Sequence, residues 1–519
     1  MVAPKDITIL WADDEIDLLR PHILFLESKG YRVITVTNAN DALNTAKQQK
    51  VDIIFLDENM PGKSGLEIIL PLKQSLPFVP VIMITKSEEE NVMNNAIGAK
   101  IDDYLIKPVN PNQILLSIKK HVENRPLVIN ATTQSYQVEF SRLSMQINTA
   151  RQYEDWVNIY RQLVFWELQL ERTEVQLLQT IQAQKQEANA GFGRFIKNNY
   201  QSWFDARQDE KPLISPTVFS RKIVPLLEKG EKVLMILIDN LRYDQWRSIM
   251  PVLTDFATIV SEDLYCSILP TATQYARNAL FSGLMPMEIH QIFPHLWIDE
   301  EEEESKNINE EELLAFQLKR YTPSLPFHYE KINNYRYGQR LLERLPNLRN
   351  HPLIVSVFNF VDILSHARTQ TEVLKELVLD AAAYRSVTLS WFQHSVIPEL
   401  IRQATDFGYR VVITTDHGSI QVTNPIKVIG DKRTTSNLRY KSGKNLDYNW
   451  REVYEVKKPS TIHLPSTNLS TTYIFALNND YFVYPNNYNQ FVSYYKNTFQ
   501  HGGVSMEEML VPFVELTAR

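Results

Sequence analysis

The sequence contains a single cysteine, Cys266, among 519 residues. One cysteine excludes an intrachain disulfide and a zinc site built from cysteine ligands, and it fits a reducing compartment. Long apolar runs are also missing, because runs such as Val233–Ile238 have the length of a strand and not of a membrane span. The first 20 residues carry several acids and no signal-peptide core. We therefore expect a cytoplasmic protein without a membrane-spanning segment.

An excess of basic residues is absent as well. The 54 Lys and Arg residues are outnumbered by 61 Asp and Glu residues, which gives a formal net charge of -7. A negative balance argues against a general nucleic-acid coat, and no helix-turn-helix or basic-helix pattern stands out. A direct transcription factor is therefore a weak hypothesis. The length predicts about three or four domains.

Short apolar runs alternate with amphipathic stretches over residues 6–122. Helical patterns separate the runs, so this region is predicted to form a parallel sheet from alternating strands and helices. The predicted strands are Ile7–Trp11, Arg32–Val36, Ile53–Leu56, Val81–Ile84 and Tyr104–Ile106.

The rest of the chain falls into two parts. Residues 130–220 carry apolar and aromatic residues at helical spacing without strand signals, which is typical of a small helical bundle. Alternation then returns, with near-continuous apolar runs that fit strands buried on both faces: Val233–Ile238, Leu353–Phe360 and Arg410–Thr414. We predict domains at residues 1–124, 125–220 and 221–519.

Two segments carry charges mainly of one sign. Asp299–Glu304 is a run of acids, which we interpret as a solvated loop, with a docking site for a basic partner as the alternative. Lys427–Lys458 holds nine Lys and Arg residues against four Asp and Glu residues. It is predicted to be a basic loop or lid, and both a solvated loop and a contact to a polyanionic substrate remain open.

Polar residues follow the predicted strands of the first region. Asp13 and Asp14 follow the first strand, Asp57 ends the third, Thr85 the fourth and Lys107 the fifth. In a parallel sheet these ends lie on one edge. Three carboxylates there form an oxygen site suited to Mg²⁺, and Asp57 can attack a phosphoryl donor. Thr85 and Lys107 can then hold the new phosphoryl oxygens.

This stretch resembles the receiver domain of response regulators, through WADDE at 11–15, FLDENMPGKSGLE at 55–67, ITK at 84–86 and DYLIKP at 103–108. The resemblance implies a flavodoxin-like, five-stranded parallel sheet with Asp57 as the phosphoacceptor. It implies that Asp13, Asp14 and Asp57 bind Mg²⁺ and that Thr85, Tyr104 and Lys107 form the switch. We predict a phosphorylation-dependent homodimer through the face that carries Tyr104.

A second set of polar residues follows the strands of the last region. Asp362 and His366 are four residues apart, so a helix that starts there places both on one face. Three Asp and three His side chains suit Zn²⁺, and six ligands are too many for one tetrahedral ion. Two ions could assist a phosphoryl displacement, with a threonine hydroxyl as nucleophile. The set comprises Asp239, Thr271, Thr273, Asp362, His366, Asp416, His417 and His501.

The order of these residues resembles that of the alkaline phosphatase superfamily, and YARNALFSG at 275–283 points to its PglZ branch. In this superfamily the nucleophile precedes a helix-ending glycine by ten residues, so Gly283 selects Thr273, with Thr271 as the alternative. The segment FVDILSH lacks the glycine before His that phosphodiesterases of this superfamily carry, so their substrate class does not transfer. The resemblance assigns one Zn²⁺ to Asp239, Thr273, Asp416 and His417 and the other to Asp362, His366 and His501.

A receiver, a three-helix-bundle linker and an α/β PglZ domain in one chain resemble the response regulators of the type IX secretion system. This resemblance implies a sensor histidine kinase as partner and a two-zinc phosphodiesterase acting on linear or cyclic oligonucleotides. It also implies regulation of type IX protein secretion, with a sigma factor or a secretion-system component as a further partner. The alternative is a non-catalytic, metal-bearing regulator that binds a nucleotide or a protein to control transcription. The threonine hydroxyl favours the enzyme, because binding alone needs no nucleophile.

Overall fold

The computed structural model describes residues 7–76, 79–86, 101–171, 175–205, 211–298, 307–370, 378–430, 434–466, 468 and 470–519. The acidic run Asp299–Glu304 and residues 431–433 of the basic segment lie outside the described residues. The chain divides into two compact units, Met1–Ser135 and Tyr136–Arg519. The division into three domains stays a prediction. Among the described residues, no helix is both long enough and apolar enough to cross a membrane.

The first unit is built on a parallel sheet. Its strands are β1 (Thr8–Ala12), β2 (Arg32–Val36), β3 (Ile53–Asp57), β4 (Val81–Thr85) and β5 (Asp103–Ile106). They are ordered β2-β1-β3-β4-β5, and every residue of β1, β3 and β4 is buried. Strands buried on both faces are near-continuously apolar, which is why the sequence pattern predicts them correctly. The α-helices that the structure describes between these strands and directly after β5 are Arg20–Ser28, Ala39–Gln48, Gly65–Ser75 and Pro111–Ile118.

The predicted linker is helical, as expected. Its helices are Asn124–Thr149, Tyr153–Leu170 and Val175–Asn199. Within the second unit, the rings of Trp156 and Phe192 pack with centroids 5.9 Å apart. Gly191 permits this approach, because a Cβ atom there would lie 2.5 Å from the Trp156 ring. The linker aromatics belong to the same apolar core as the sheet of the second unit.

The main sheet of the second unit is mixed. The remaining strands among the described residues are β6 (Lys232–Ile238), β7 (Ala257–Cys266), β8 (Phe327–Ile332), β9 (Leu353–Phe358), β10 (Tyr409–Thr414), β11 (Ile420–Gln421), β12 (Asn424–Lys427), β13 (Tyr440–Gly443), β14 (Val453–Val456), β15 (Thr472–Ala476), β16 (Asp480–Val483), β17 (Phe499–Gln500) and β18 (Leu510–Ala518). The six-stranded sheet has the order β7-β18-β10-β6-β9-β8. Strands β10, β6, β9 and β8 run parallel, so their carboxyl ends share one edge.

Helices pack against this sheet. The two that matter most for the site begin at its carboxyl edge: Thr273–Ser282, and Phe360–Gln370 directly after β9. The other α-helices that the structure describes in this unit, besides those of the linker, are Ser202–Asp205, Val224–Glu228, Tyr243–Leu253, Pro286–Ile292, Glu310–Tyr321, Tyr335–Leu348, Ala381–His394, Ile397–Asp406, Tyr488–Tyr495 and Met506–Met509.

The basic segment Lys427–Lys458 is more ordered than the predicted loop or lid, because it contains β13 and β14. Two of its cations are buried. Arg439 binds the carboxylate of Glu508 at 2.6 Å, and Lys441 donates to the carbonyl of Thr435 at 2.8 Å. These side chains hold the fold together and cannot contact a polyanion.

Candidate active site

Two neighbouring parallel strands of the second unit deliver the first cluster of candidate ligands. Asp239 directly follows β6, and Asp416 and His417 follow β10. One donor atom from each of the three lies within 4.8 Å of the others. Nε2 of His417 is 3.8 Å from an oxygen of Asp239 and 3.7 Å from an oxygen of Asp416. All three residues are buried.

The second cluster adjoins the first and consists of Asp362, His366 and His501. The helix Phe360–Gln370 presents Asp362 and His366 on one face, with a carboxylate oxygen 3.5 Å from Nε2 of His366. Nε2 of His501 lies 3.7 Å from the other oxygen of Asp362. The rings of His417 and His501 stack with centroids 4.3 Å apart, so the two clusters are neighbours.

Backbone carbonyls fix the tautomers of these two histidines. Nδ1 of His501 lies 3.1 Å from the carbonyl oxygen of Thr271, and Nδ1 of His417 lies 3.1 Å from that of Gly418. A carbonyl can only accept, so each Nδ1 carries the proton and each Nε2 keeps a free lone pair. Burial, assisted by the neighbouring His417, lowers the pKa of His501 to about 4. Both features suit histidine as a metal ligand.

The carboxylates of the first cluster fit a cation. Burial, reinforced by Asp416 and Asp362, raises the pKa of Asp239 well above its usual value, although Arg277 opposes the shift. Burial also acts on Asp416, but Arg277 and His417 outweigh it and hold the pKa of Asp416 at about 2. Within the described part of the chain, Oδ1 of Asp239 is buried and has no hydrogen-bond donor. A divalent ion would supply the missing positive charge and suits this set of nitrogen and oxygen donors.

The two candidate nucleophiles differ in their surroundings. Oγ1 of Thr273 lies 3.0 Å from Nε2 of His417 and is only partly buried. Thr273 is also the first residue of its helix, which ends at Gly283 in the left-handed conformation with φ 64. Thr271 is fully buried, donates to the carbonyl of Gly503 at 2.9 Å and accepts from the amide of Gly502 at 3.0 Å.

Arg277 is a residue of this site that the sequence does not single out. It lies four residues after Thr273 on the same helix, is buried, and contacts three carboxylates. The guanidinium pairs with Asp239, with Asp416 at 3.0 Å and with Glu310 at 3.2 Å. Its spacing from Thr273 could have indicated it, because residues four apart share a helix face.

The candidate phosphoacceptor site lies at the carboxyl edge of the first sheet. Oxygen atoms of Asp13, Asp14 and Asp57 lie within 4.8 Å of one another. Nζ of Lys107 bridges Asp13 and Asp57 at 2.9 Å each. Burial raises the pKa of Asp57 to about 6, with a contribution from Asp13, while Lys107 opposes the shift. These are the positions that the sequence predicts for the magnesium site and its lysine.

Thr85 and Tyr104 are also neighbours. Thr85 is buried at the end of β4 and its hydroxyl donates to the carboxylate of Glu58. Burial raises the pKa of Tyr104, and a hydrogen bond with the Thr85 side chain partly offsets this. The two predicted switch residues are thus in direct contact.

Comparison with protein families agrees with the geometry. Residues 218–516 match the BREX system PglZ alkaline phosphatase-like domain. The chain belongs to the PglZ family. Residues 126–204, ahead of the PglZ domain, match the PorX response regulator linker domain, and residues 9–119 match the response regulator receiver domain. The predicted combination of a receiver, a PorX-type linker and a PglZ effector is confirmed.

Two curated relatives each match less than a quarter of this chain. The alginate biosynthesis transcriptional regulatory protein AlgB of Pseudomonas syringae pv. tomato is 34% identical over 119 residues, which cover 23% of this chain and 27% of AlgB. PhoP of Bacillus subtilis, an alkaline phosphatase synthesis transcriptional regulatory protein, is 35% identical over 113 residues, or 21% of this chain and 46% of PhoP. The chain therefore spans less than half of either relative.

Among solved structures, a CheY-like receiver domain protein from Methanospirillum hungatei JF-1 is 26% identical. The match covers 23% of this chain and 94% of that one, with a TM-score of 0.22.

Proposed function

We propose that this response regulator controls a two-zinc phosphodiesterase that resides in its PglZ domain. The observation that carries the proposal is the pair of adjoining ligand clusters with the Thr273 hydroxyl 3.0 Å from His417. One zinc ion would be held by Asp239, Thr273, Asp416 and His417, and the other by Asp362, His366 and His501. Two such ions stabilise the attacking and leaving oxygens of a phosphoryl displacement when bound.

Thr273 is the nucleophile in this proposal. Its hydroxyl loses a proton to solvent while its oxygen attacks phosphorus, and the bond to the leaving alcohol oxygen breaks and that oxygen takes up a proton. Water then hydrolyses the ester between Thr273 and phosphate. The helix Thr273–Ser282 begins at this hydroxyl, and the amides of its first turn favour an anionic phosphate there. Thr271 cannot play this role without giving up both of its backbone hydrogen bonds.

Arg277 supports the site through ion pairs with its carboxylates. Its pairing with Asp239, Asp416 and Glu310 places one positive charge among three buried carboxylates, which limits their mutual repulsion. Arg277 contacts ligand residues and is therefore a positioning residue.

The proposed substrates are linear or cyclic oligonucleotides, and the proposed regulator is a sensor histidine kinase that phosphorylates the receiver at Asp57. The Mg²⁺ ligands would be Asp13, Asp14 and Asp57, which cluster at the edge of the first sheet. The PorX-type linker match supports a role in type IX secretion, with a sigma factor or a secretion-system component as a further partner.

Steady-state hydrolysis tests the proposal. The full chain, stripped with a chelator and reloaded with Zn²⁺, should cleave bis(p-nitrophenyl) phosphate, while the stripped protein should not. Asp239→Asn keeps the shape of the ligand and removes its charge, so its rate should fall at least 100-fold. The absence of zinc-dependent cleavage in the wild type, or an unchanged rate in Asp239→Asn, would overturn the proposal.

A further inference from the structure

A cavity of about 290 Å³ lies beside the helix that carries Asp362 and His366. Its wall combines aromatic, aliphatic and amide side chains. The members that matter here are Asn333, Tyr335, Phe360, Ile363, Trp391 and His394. The cavity plays no part in the chemistry proposed above.

The apolar part of the wall is mostly aromatic. The rings of Phe360 and Trp391 stack with centroids 4.6 Å apart and planes inclined by 6°. Tyr335 is 62% exposed and Ile363 is 49% exposed, although both are large apolar side chains. Exposed apolar side chains grouped around a cavity are typical of a binding site. A planar apolar ligand would cover them.

The polar part of the wall offers one donor and one acceptor. The amide nitrogen of Asn359 donates to Oδ1 of Asn333 at 3.2 Å, which leaves the Asn333 amide nitrogen available as a donor. Nδ1 of His394 lies 2.7 Å from the carbonyl oxygen of Ser390 and therefore carries the proton. Nε2 of His394 is then an acceptor. A donor and an acceptor beside a mostly aromatic wall match the edge of a planar heterocycle.

The helix Phe360–Gln370 joins this cavity to the metal clusters. Phe360 and Ile363 line the cavity, and Asp362 between them belongs to the second cluster. Successive residues of a helix are rotated by about 100°, so Ile363, which lines the cavity, lies about 60° from His366 and about 100° from Asp362 around the helix axis. A small molecule that passes over Ile363 would place one end in the cavity and the other beside Asp362 and His366. A nucleotide has this form, with a flat base and a phosphate joined by a sugar.

We propose that the cavity binds a nucleobase of the substrate whose phosphodiester reacts at the two metal clusters. This inference rests on the proposed function and adds a binding site for the base beside the reacting phosphate. The stacking surface contributes affinity, and Asn333 and His394 read the edge of the base.

Equilibrium dialysis with the four ribonucleosides tests the cavity without any phosphate, so the result does not depend on hydrolysis. The full-length wild type should bind at least one of them. Ile363→Trp fills the cavity from a half-exposed position and should weaken this binding at least ten-fold. Ile292→Trp is the matched control, since Ile292 is a 57% exposed isoleucine on another helix. It should bind like the wild type.

A second variant and a kinetic ratio complete the test. His394→Ala changes an exposed residue, which avoids a folding defect, and should weaken binding several-fold. The ratio of kcat/KM for a dinucleotide to that for methyl p-nitrophenyl phosphate should fall about ten-fold in Ile363→Trp. No nucleoside binding by the wild type, or equal binding by wild type and Ile363→Trp, would refute the base site. Nucleoside binding without turnover of either diester would keep the base site and remove the phosphodiesterase.

Discussion

Oγ1 of Thr273 and Nε2 of His417 lie 3.0 Å apart, at the edge of the sheet where the candidate zinc ligands meet. Thr273→Ala should therefore abolish diester hydrolysis, with a loss of at least 100-fold in kcat, because the nucleophile is gone. Most of the zinc should remain, since the Asp and His ligands are unchanged. Thr273→Ser keeps the hydroxyl and should retain measurable turnover. Parallel kinetics and metal analysis check this, and full activity in Thr273→Ala would rule out Thr273 as the nucleophile.

Thr271 should behave differently. Thr271→Val keeps the side-chain shape but leaves the Gly502 amide and the Gly503 carbonyl without their hydroxyl partner. Unpaired buried groups cost about 1–3 kcal/mol, so the free energy of unfolding should fall by that amount. His501, a proposed zinc ligand, directly precedes Gly502, so zinc should also bind less tightly in this variant. Turnover at saturating zinc should persist. Denaturant unfolding and zinc titration measure both effects. Loss of turnover at full zinc loading would point to Thr271 instead.

Within the second unit, buried ion pairs attach the linker helices to the rest of the unit. Nζ of Lys185 lies 2.7 Å from Glu167 and 3.3 Å from Glu507, and Arg385 lies 3.1 Å from Glu167 and 2.8 Å from Asp244. Lys185→Met leaves two buried carboxylates with one partner fewer and should cost about 3–5 kcal/mol.

The double variant Glu167→Gln/Lys185→Met removes one charge of each sign. It should cost less than the sum of its two single variants. The control is Arg142→Ala, which breaks an exposed pair with Glu139 and should cost about 0–1 kcal/mol. Denaturant unfolding of the wild type, the two single variants, the double variant and the control measures these losses, and strictly additive losses would show that Glu167 and Lys185 do not stabilise each other.

The receiver switch makes a separate prediction. Thr85 donates to Glu58 and is hydrogen-bonded with Tyr104, so a phosphoryl group on Asp57 that draws Thr85 toward it must disturb both contacts. Beryllofluoride with Mg²⁺ should therefore shift a monomer to a homodimer through the Tyr104 face. Light scattering reports the mass. Asp57→Ala should stay monomeric under the same conditions, and equal dimerisation of that variant would show that the switch does not depend on Asp57.

Patterns of burial explain which strands the sequence predicts. Strands β6, β9 and β10 are buried on both faces and read as continuous apolar runs. Strand β8 escapes detection because its sequence, FHYEKI, is half-buried and lies at the edge of the sheet. The ligand-bearing turns are predictable because they follow apolar runs at the shared edge.

Long-range contacts explain what the sequence leaves open. The choice between Thr271 and Thr273 depends on the hydrogen bonds of Thr271 to residues more than 200 positions away, which no local pattern encodes. In the sequence nothing distinguishes Arg277 from other helical arginines, because its partners Asp239 and Asp416 follow two different strands. The cavity beside Phe360 likewise depends on Trp391 from a different helix.

Native mass spectrometry of the chelator-free protein tests the central claim most directly. Because the two ligand clusters adjoin at one sheet edge, the wild-type chain should carry two zinc ions. His501→Ala removes a ligand of the second cluster alone and should leave one tightly bound ion. A wild-type chain with no tightly bound zinc, or a His501→Ala chain that still holds two, would contradict a two-zinc centre built from these residues.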